Sequence, residues 1–140
     1  GKEDGVRAAF RISIIAALIC GSISTAAFTL LPEPLVGLFL SLDNTAARIA
    51  VAGFPYYGIG FILFVLNLSV IGYYQSIERV KPAISFALLR GFIFLIPCFI
   101  VLPGIMGTNG IWLALPFSEI LTAVMIITCF FLARKQPDIR

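Results

Sequence analysis

IWLALPFSEILTAVMIITCFFLA, residues 111–133, is the stretch whose reading decides the fold. It carries one formal charge, Glu119, in a run long enough to cross a bilayer. A hydrocarbon core of about 30 Å takes about 20 helical residues at ~1.5 Å each. Three more such runs lie upstream, at 12–31, 49–74 and 83–102, the last with a single charge at Arg90. Lipid offers no partner to unpaired backbone N–H and C=O groups, so spanning segments of this kind are helices and not open sheet. The chain therefore reads as all-α, an integral membrane helical bundle in a single membrane domain over 1–140. Four transmembrane helices are predicted over 8–31, 47–74, 82–103 and 110–133.

Composition agrees. Apolar residues make up 60% of the 140 residues and charged residues 12%. Soluble domains run at roughly 45–50% and ~25%. A soluble domain of this size could not keep so much apolar surface from water. The first residue is Gly1, so the chain is expected to be a piece of something longer or a processed product. Residues 1–11 are charged and no cleavage site follows, so no secretory signal is read there. Cys20, Cys98 and Cys129 each lie in an apolar run without short CxxC spacing, and there is no histidine. That pattern argues against a metal site or a disulfide framework, and the three read as small buried residues. No histidine, carboxylate pair or nucleophile with its base is available for catalysis, so no catalytic residues are expected and an enzyme is the weakest reading.

The connectors carry their own signals. Pro32-Glu33-Pro34 should stop the first helix. Residues 35–42 are apolar but too short to span, and read as a short interfacial helix, with Asp43-Asn44-Thr45 offering a cap to the next. The polar 75–81 loop ends at Pro82, which suits the first turn of the third helix. Pro103 followed by 104–110 reads as a glycine-rich turn. Within the spans, Gly53, Pro55, Gly58 and Gly60 loosen the second helix, while Pro97 and Pro116 each favour a kink in the third and fourth. Ser13, Ala17, Gly21, Thr25 and Thr29 repeat every four residues, with Ala16, Cys20 and Ser24 beside them. Small residues so spaced let helix backbones approach closely in lipid.

Orientation follows from lysine and arginine. Lys2, Arg7, Arg11, Arg79, Lys81, Arg134, Lys135 and Arg140 all fall on one side of a four-span arrangement, and only Arg48 lies near the other. Both ends of the segment and the 75–81 loop are expected to be cytoplasmic, in a multi-pass protein of the cell (inner or plasma) membrane.

Arg90 and Glu119 are the costly residues, since a charge near a helix centre costs about 2.5–3.5 kcal/mol on insertion scales. They differ in depth by roughly 6 Å at ~1.5 Å per residue, a gap that long side chains on antiparallel neighbours can bridge. Three readings stand side by side. The two pair directly or through water; Arg90 snorkels while Glu119 binds a hydroxyl or backbone group; or Glu119 titrates or meets a cationic substrate. Asn67, mid-helix with Ser69, either hydrogen-bonds across helices or binds a ligand. Tyr56 is either an interfacial anchor or lines a cavity beside the loosened Gly53–Pro55 region. Tyr56, Asn67, Arg90 and Glu119 are thus the candidates for a substrate cavity or an intramembrane polar network.

One ordered set of residues carries a family resemblance. Gly72-Tyr73-Tyr74-Gln75-Ser76-Ile77-Glu78-Arg79-Val80-Lys81-Pro82-Ala83 is followed by Leu88-Leu89-Arg90-Gly91 and Leu95-Ile96-Pro97. Leu102-Pro103, Gly107, Asn109-Gly110-Ile111-Trp112-Leu113-Ala114 and Pro116-Phe117-Ser118-Glu119 complete it, with Leu31-Pro32-Glu33-Pro34-Leu35 upstream. In order and spacing this resembles the carboxyl-terminal end of the multidrug and toxic compound extrusion (MATE) family.

The resemblance implies a twelve-helix transporter of two six-helix lobes, this chain supplying helices nine to twelve of the second lobe. It implies a cation-coupled antiporter that exports drugs, organic cations or other small amphipathic compounds by alternating access in exchange for sodium or protons. The partners so implied are the lipid bilayer, those substrates and the missing N-terminal helices of the same protein, with no nucleic acid. Some branches hold a cation on an aspartate in the tenth helix, one turn after a tyrosine. Aligned on Gly72-Tyr73, Gly60 stands at the aspartate and Tyr56 at the tyrosine. The aspartate is absent here, so the coupling ion, Na+ or H+, is expected mainly on the missing N-terminal lobe. No other cofactor and no metal are expected. An alternative from the same superfamily is a flippase for a lipid-linked precursor, which would call for a more cationic lumen than Arg90 alone supplies. A structural or assembly subunit with no transport activity is a third reading.

Overall fold

A computed structural model describes residues 2–135, with side chains over 4–133. Its regular structure is all helical, with no strand among the described residues. The elements are α1 (Lys2–Leu30), α2 (Pro32–Gly37), α3 (Thr45–Gly58), α4 (Phe61–Ser76), α5 (Val80–Leu88), a π-helical segment (Leu89–Phe94), α6 (Leu95–Met106) and α7 (Thr108–Lys135). Three stretches are long and apolar enough to cross a membrane, Asp4–Leu30, Val80–Met106 and Thr108–Ala133. The pair Thr45–Gly58 and Phe61–Ser76, bent by 52°, qualifies as a fourth span. Large apolar side chains point outward along all of these, among them Ile23, Ile59, Ile100 and Phe131. Such surfaces suit a lipid bilayer, which is as apolar as they are.

Ring contacts set the directions. Phe10 of α1 meets Tyr73 of α4 at 4.5 Å between centroids, whereas Phe28 stacks on Phe54 of α3 at 4.8 Å. α1 therefore runs antiparallel to the α3–α4 pair. The α6–α7 hairpin closes at Gly107, whose φ of +63° only glycine adopts without strain. Its N–H donates to the Pro103 carbonyl at 2.9 Å. The end of the bundle that holds Arg79 and Lys81 is called the basic end below.

The small-residue row on α1 does pack, and its partner lies within this chain. Ala17 and Gly21 are buried, and a Cβ at Gly21 would sit 2.8 Å from Val65 and 2.9 Å from the backbone of Ile62. Thr25 donates its hydroxyl to the Gly58 carbonyl at 2.8 Å, where α3 ends and the bend begins. The row stops there, because Thr29 is exposed, and Ala16 and Cys20 of the neighbouring row also face outward. At Gly58 a Cβ would lie 2.6 Å from that of Phe28, and at Gly60 it would lie 3.1 Å from Pro116. Both positions at the bend are thus narrowed by neighbouring helices.

Several expectations are corrected. α1 begins six residues before the expected start at 8, because the charged first turns contain nothing that breaks a helix. The short helix lies earlier than 35–42, over Pro32–Gly37: the prolines that end α1 occupy the first turn of α2, where a missing N–H costs nothing. Asn44 caps α3 as read, its side chain accepting from the Ala46 N–H at 3.0 Å. The third span runs on through Pro103 to Met106, so the expected 104–110 turn shrinks to Gly107. α7 holds Pro116 inside a continuous helix, as the expected span did. Around Pro97 the irregularity lies upstream, as a π-helical segment, since the proline offers no N–H to the carbonyls of the preceding turn. Of the cysteines only Cys98 is buried; Cys20 and Cys129 are exposed.

Gly53 marks the tightest approach. A Cβ there would overlap the indole of Trp112. Gly53→Ala should destabilise the bundle by about 1–3 kcal/mol, as overpacking does. In detergent melts followed by size-exclusion chromatography, Gly53→Ala should cost nothing further in a Trp112→Ala background. Gly72→Ala, with nothing within 4 Å, should melt as the parent does.

Candidate functional site

Three helices meet at one carboxylate. Glu119 of α7 is 1% exposed and is held from two sides. Arg90, second residue of the π-helical segment, donates from Nε to Glu119 Oε1 at 2.8 Å. Asn67 of α4 donates from Nδ2 to Oε2 at 2.8 Å and to the Glu119 main-chain carbonyl at 3.0 Å. The Arg90 guanidinium also lies over the Phe64 ring, 4.3 Å from its centroid, one helical turn before Asn67. Among the described residues no buried side-chain nitrogen or oxygen lacks a partner.

The sequence explains why these elements converge. Arg90 and Glu119 sit on the antiparallel α5–α6 and α7 stretches at similar depth, so a direct pair forms and no water is needed between them. Asn67 and Phe64 share a face of α4 because three residues make nearly one helical turn. On α7 the polar face is Ser118, Glu119 and Thr122, all buried. Ser118 donates to the Leu115 carbonyl and Thr122 to the Ser118 carbonyl, both at 2.8 Å. These hydroxyls are satisfied within their own helix and leave Glu119 as the group that reaches outward.

The magnitudes decide what the cluster is for. A lone charge at a helix centre costs about 2.5–3.5 kcal/mol, and stranding one member of a buried pair costs about 3–5 kcal/mol. A typical interhelical hydrogen bond in lipid contributes only ~0.6 kcal/mol. The cluster therefore acts mainly by preventing a penalty. Arg90, with 18% of its side chain exposed, has its charge matched at contact distance.

Of the four sequence candidates, Asn67, Arg90 and Glu119 come together and Tyr56 stands apart. Tyr56 is 40% exposed on α3, with no hydrogen bond or ring contact in the described structure. Its neighbour Tyr57 points inward instead, edge-on to Trp112 and Phe61 at 6.4 and 5.6 Å. Phe28, Phe54, Tyr57, Phe61 and Trp112 form an aromatic cluster at the end opposite the basic one. Sequence reasoning missed that cluster and the Phe64–Arg90 contact. Phe64 and Asn67, spaced three apart beside a lone arginine in lipid, were the available signal.

Two grooves flank the bundle away from the carboxylate. One, of about 580 Å³, lies between α1 and α4 at the basic end, beside Phe10, Ser13, Ser69 and Tyr73. The other, of about 420 Å³ and almost wholly apolar, lies between α6 and α7 beside Pro97, Cys98 and Phe117. No cluster of metal-ligating side chains occurs among the described residues. Comparison of the chain with protein-family models, with curated proteins and with solved structures found no match.

A double-mutant cycle should expose the pairing. Arg90→Ala and Glu119→Ala should each lower stability by about 3–5 kcal/mol, and the double variant by clearly less than their sum. Asn67→Ala should cost about 1 kcal/mol. Additive losses in detergent melts would show that the two charges do not share an interaction.

Proposed function

We propose that this chain is the carboxyl-terminal part of a cation-coupled exporter of drugs or organic cations, of the MATE type, working by alternating access. The observation that carries the reading is the carboxylate held at mid-span between a broken helix pair and a helix with a π-helical turn. Transporters place ionisable groups and interrupted helices together near the bilayer midplane, where one helix set rocks against another. The ordered residues from Gly72 to Glu119, which resemble the end of that family, support the reading. Alternating access requires that the coupling cation, sodium or a proton, favour one state over the other. On this proposal that ion binds mainly in helices of the amino-terminal lobe, because Gly60 stands where other branches carry an aspartate.

The flippase alternative is less well supported. A lipid-linked anionic precursor calls for free positive charge in the lumen, and Arg90 is matched by Glu119. The membrane is proposed to be the cell membrane, with the basic end in the cytoplasm as lysine and arginine placement favours.

The test is transport by the protein that carries this chain, expressed in cells stripped of their main exporters. Accumulation of a lipophilic fluorescent cation should fall, and collapse of either the proton or the sodium gradient should abolish the effect. Unchanged accumulation, with transfer of a labelled lipid-linked sugar instead, would favour the flippase; neither activity would dismiss the proposal. Arg90→Ala should lower folded yield more than it alters which cations are exported. A normal yield with altered preference would place Arg90 in the substrate path.

A further inference from the structure

Arg90 sits inside the one described segment that departs from α-helical pitch, Leu89–Phe94. That segment sets how the two halves of the third span face their neighbours. Phe86 is buried in α5, 5.6 Å from the Tyr74 ring of α4, and Cys98 is buried in α6. Twelve residues separate them. In an unbroken α-helix they would stand about 120° apart around the axis. The wider π-helical turn takes up most of that angle, so both face inward.

We infer that the Arg90–Glu119 ion pair is the latch of this π-helical register. A proton on Glu119 opens it, and the segment relaxes to α-helix, turning α5 against α6 by about 100°, the step of one residue.

Beyond the packing of Ala83, Phe86 and Cys98, little else holds the register. Across α5 and the π-helical segment, Arg90 makes the only side-chain hydrogen bond among the described residues. Apolar contacts there give no hydrophobic drive, because the lipid that would replace them is equally apolar. Pro97 lacks the N–H that would bond to Ile93 in an α register or Phe92 in a π register, so neither gains a bond at that position. There is also room to turn. Gly91 has nothing within 4 Å of an added Cβ, and the apolar groove of about 420 Å³ opens beside Ile93, Phe94, Pro97 and Cys98.

The trigger follows from the two grips on Glu119. Protonation removes the attraction for Arg90, while Asn67 still donates to the carboxyl and to its main-chain carbonyl. Arg90 is then an unmatched charge in lipid, and its long side chain, 18% exposed, swings toward water. No other titratable group among the described residues shares the site. Arg48, Tyr56 and Tyr57 of α3, Tyr73 and Tyr74 of α4 and Cys98 of α6, the elements packed against α7, make no hydrogen bond or ion pair with Glu119. The inference concerns the helix itself and does not rest on the export reading.

Spin labels at Ile84 and Ile127, each 54% exposed, can read the turn in the full chain in lipid nanodiscs, with Cys20, Cys98 and Cys129 changed to Ala. Pulsed dipolar spectroscopy should give one distance at neutral pH. Acid should populate a second, shifted by up to roughly 8 Å, the path of the label for a ~100° step on a helix about 5–6 Å in radius. Glu119→Gln should show the displaced distance at every pH. Should Glu119→Gln not fold, Arg90→Gln/Glu119→Gln strands no charge and decides the matter: it too should show only the displaced distance. A folded double variant that keeps the neutral-pH distance overturns the latch, and a parent distance unmoved by acid overturns the proton trigger.

Discussion

A charge in hydrocarbon must be matched where it stands, and the rest of this bundle is arranged around that requirement. Glu119 and Arg90 lie in separate spans and would each be costly alone. Joined at 2.8 Å, with Asn67 on the second carboxylate oxygen, they become one neutral polar unit shared by three helices. Apolar contacts in lipid carry no hydrophobic drive and orient helices only where they pack closely. The cluster is therefore the element that tells α4, the π-helical segment and α7 which faces to turn toward one another.

Close packing by small residues does the remaining work. α1 reaches α4 through Ala17 and Gly21, α3 admits Trp112 at Gly53, and Gly60 lies against Pro116. Each is a place where backbone replaces side chain at the contact, so dispersion forces act over short range. The 52° bend falls between two such contacts, Gly58 on Phe28 and Gly60 on Pro116.

Much of the fold was legible because the membrane imposes a length. Runs free of charge for about 20 residues can hardly be anything but spans, and the Asn44 cap and the small-residue row on α1 were readable from local chemistry. The meeting of Arg90 with Glu119 was legible as one of three readings, because depth along antiparallel helices is simple arithmetic. What failed turned on angle. Pro103 was read as leading into a turn over 104–110, yet it sits inside continuous helix, since lipid-embedded helices tolerate a missing bond when neighbours re-satisfy it. The π-helical segment leaves only a faint trace, in inward positions such as Phe86, Arg90 and Cys98 that fall at multiples of four. Asn67 could not be assigned to Glu119 without knowing which face α4 presents after the bend.

The central claim is a direct contact between two opposite charges midway along two membrane-length helices. Solid-state magnetic resonance can test it in membranes, by recoupling side-chain nitrogens of labelled arginine with the labelled carboxyl carbon of glutamate. The account expects strong dephasing that reports direct contact and vanishes in Glu119→Gln. Dephasing absent from the parent protein, or unchanged by that substitution, would mean that the charges are matched elsewhere and that the bundle is not organised around them.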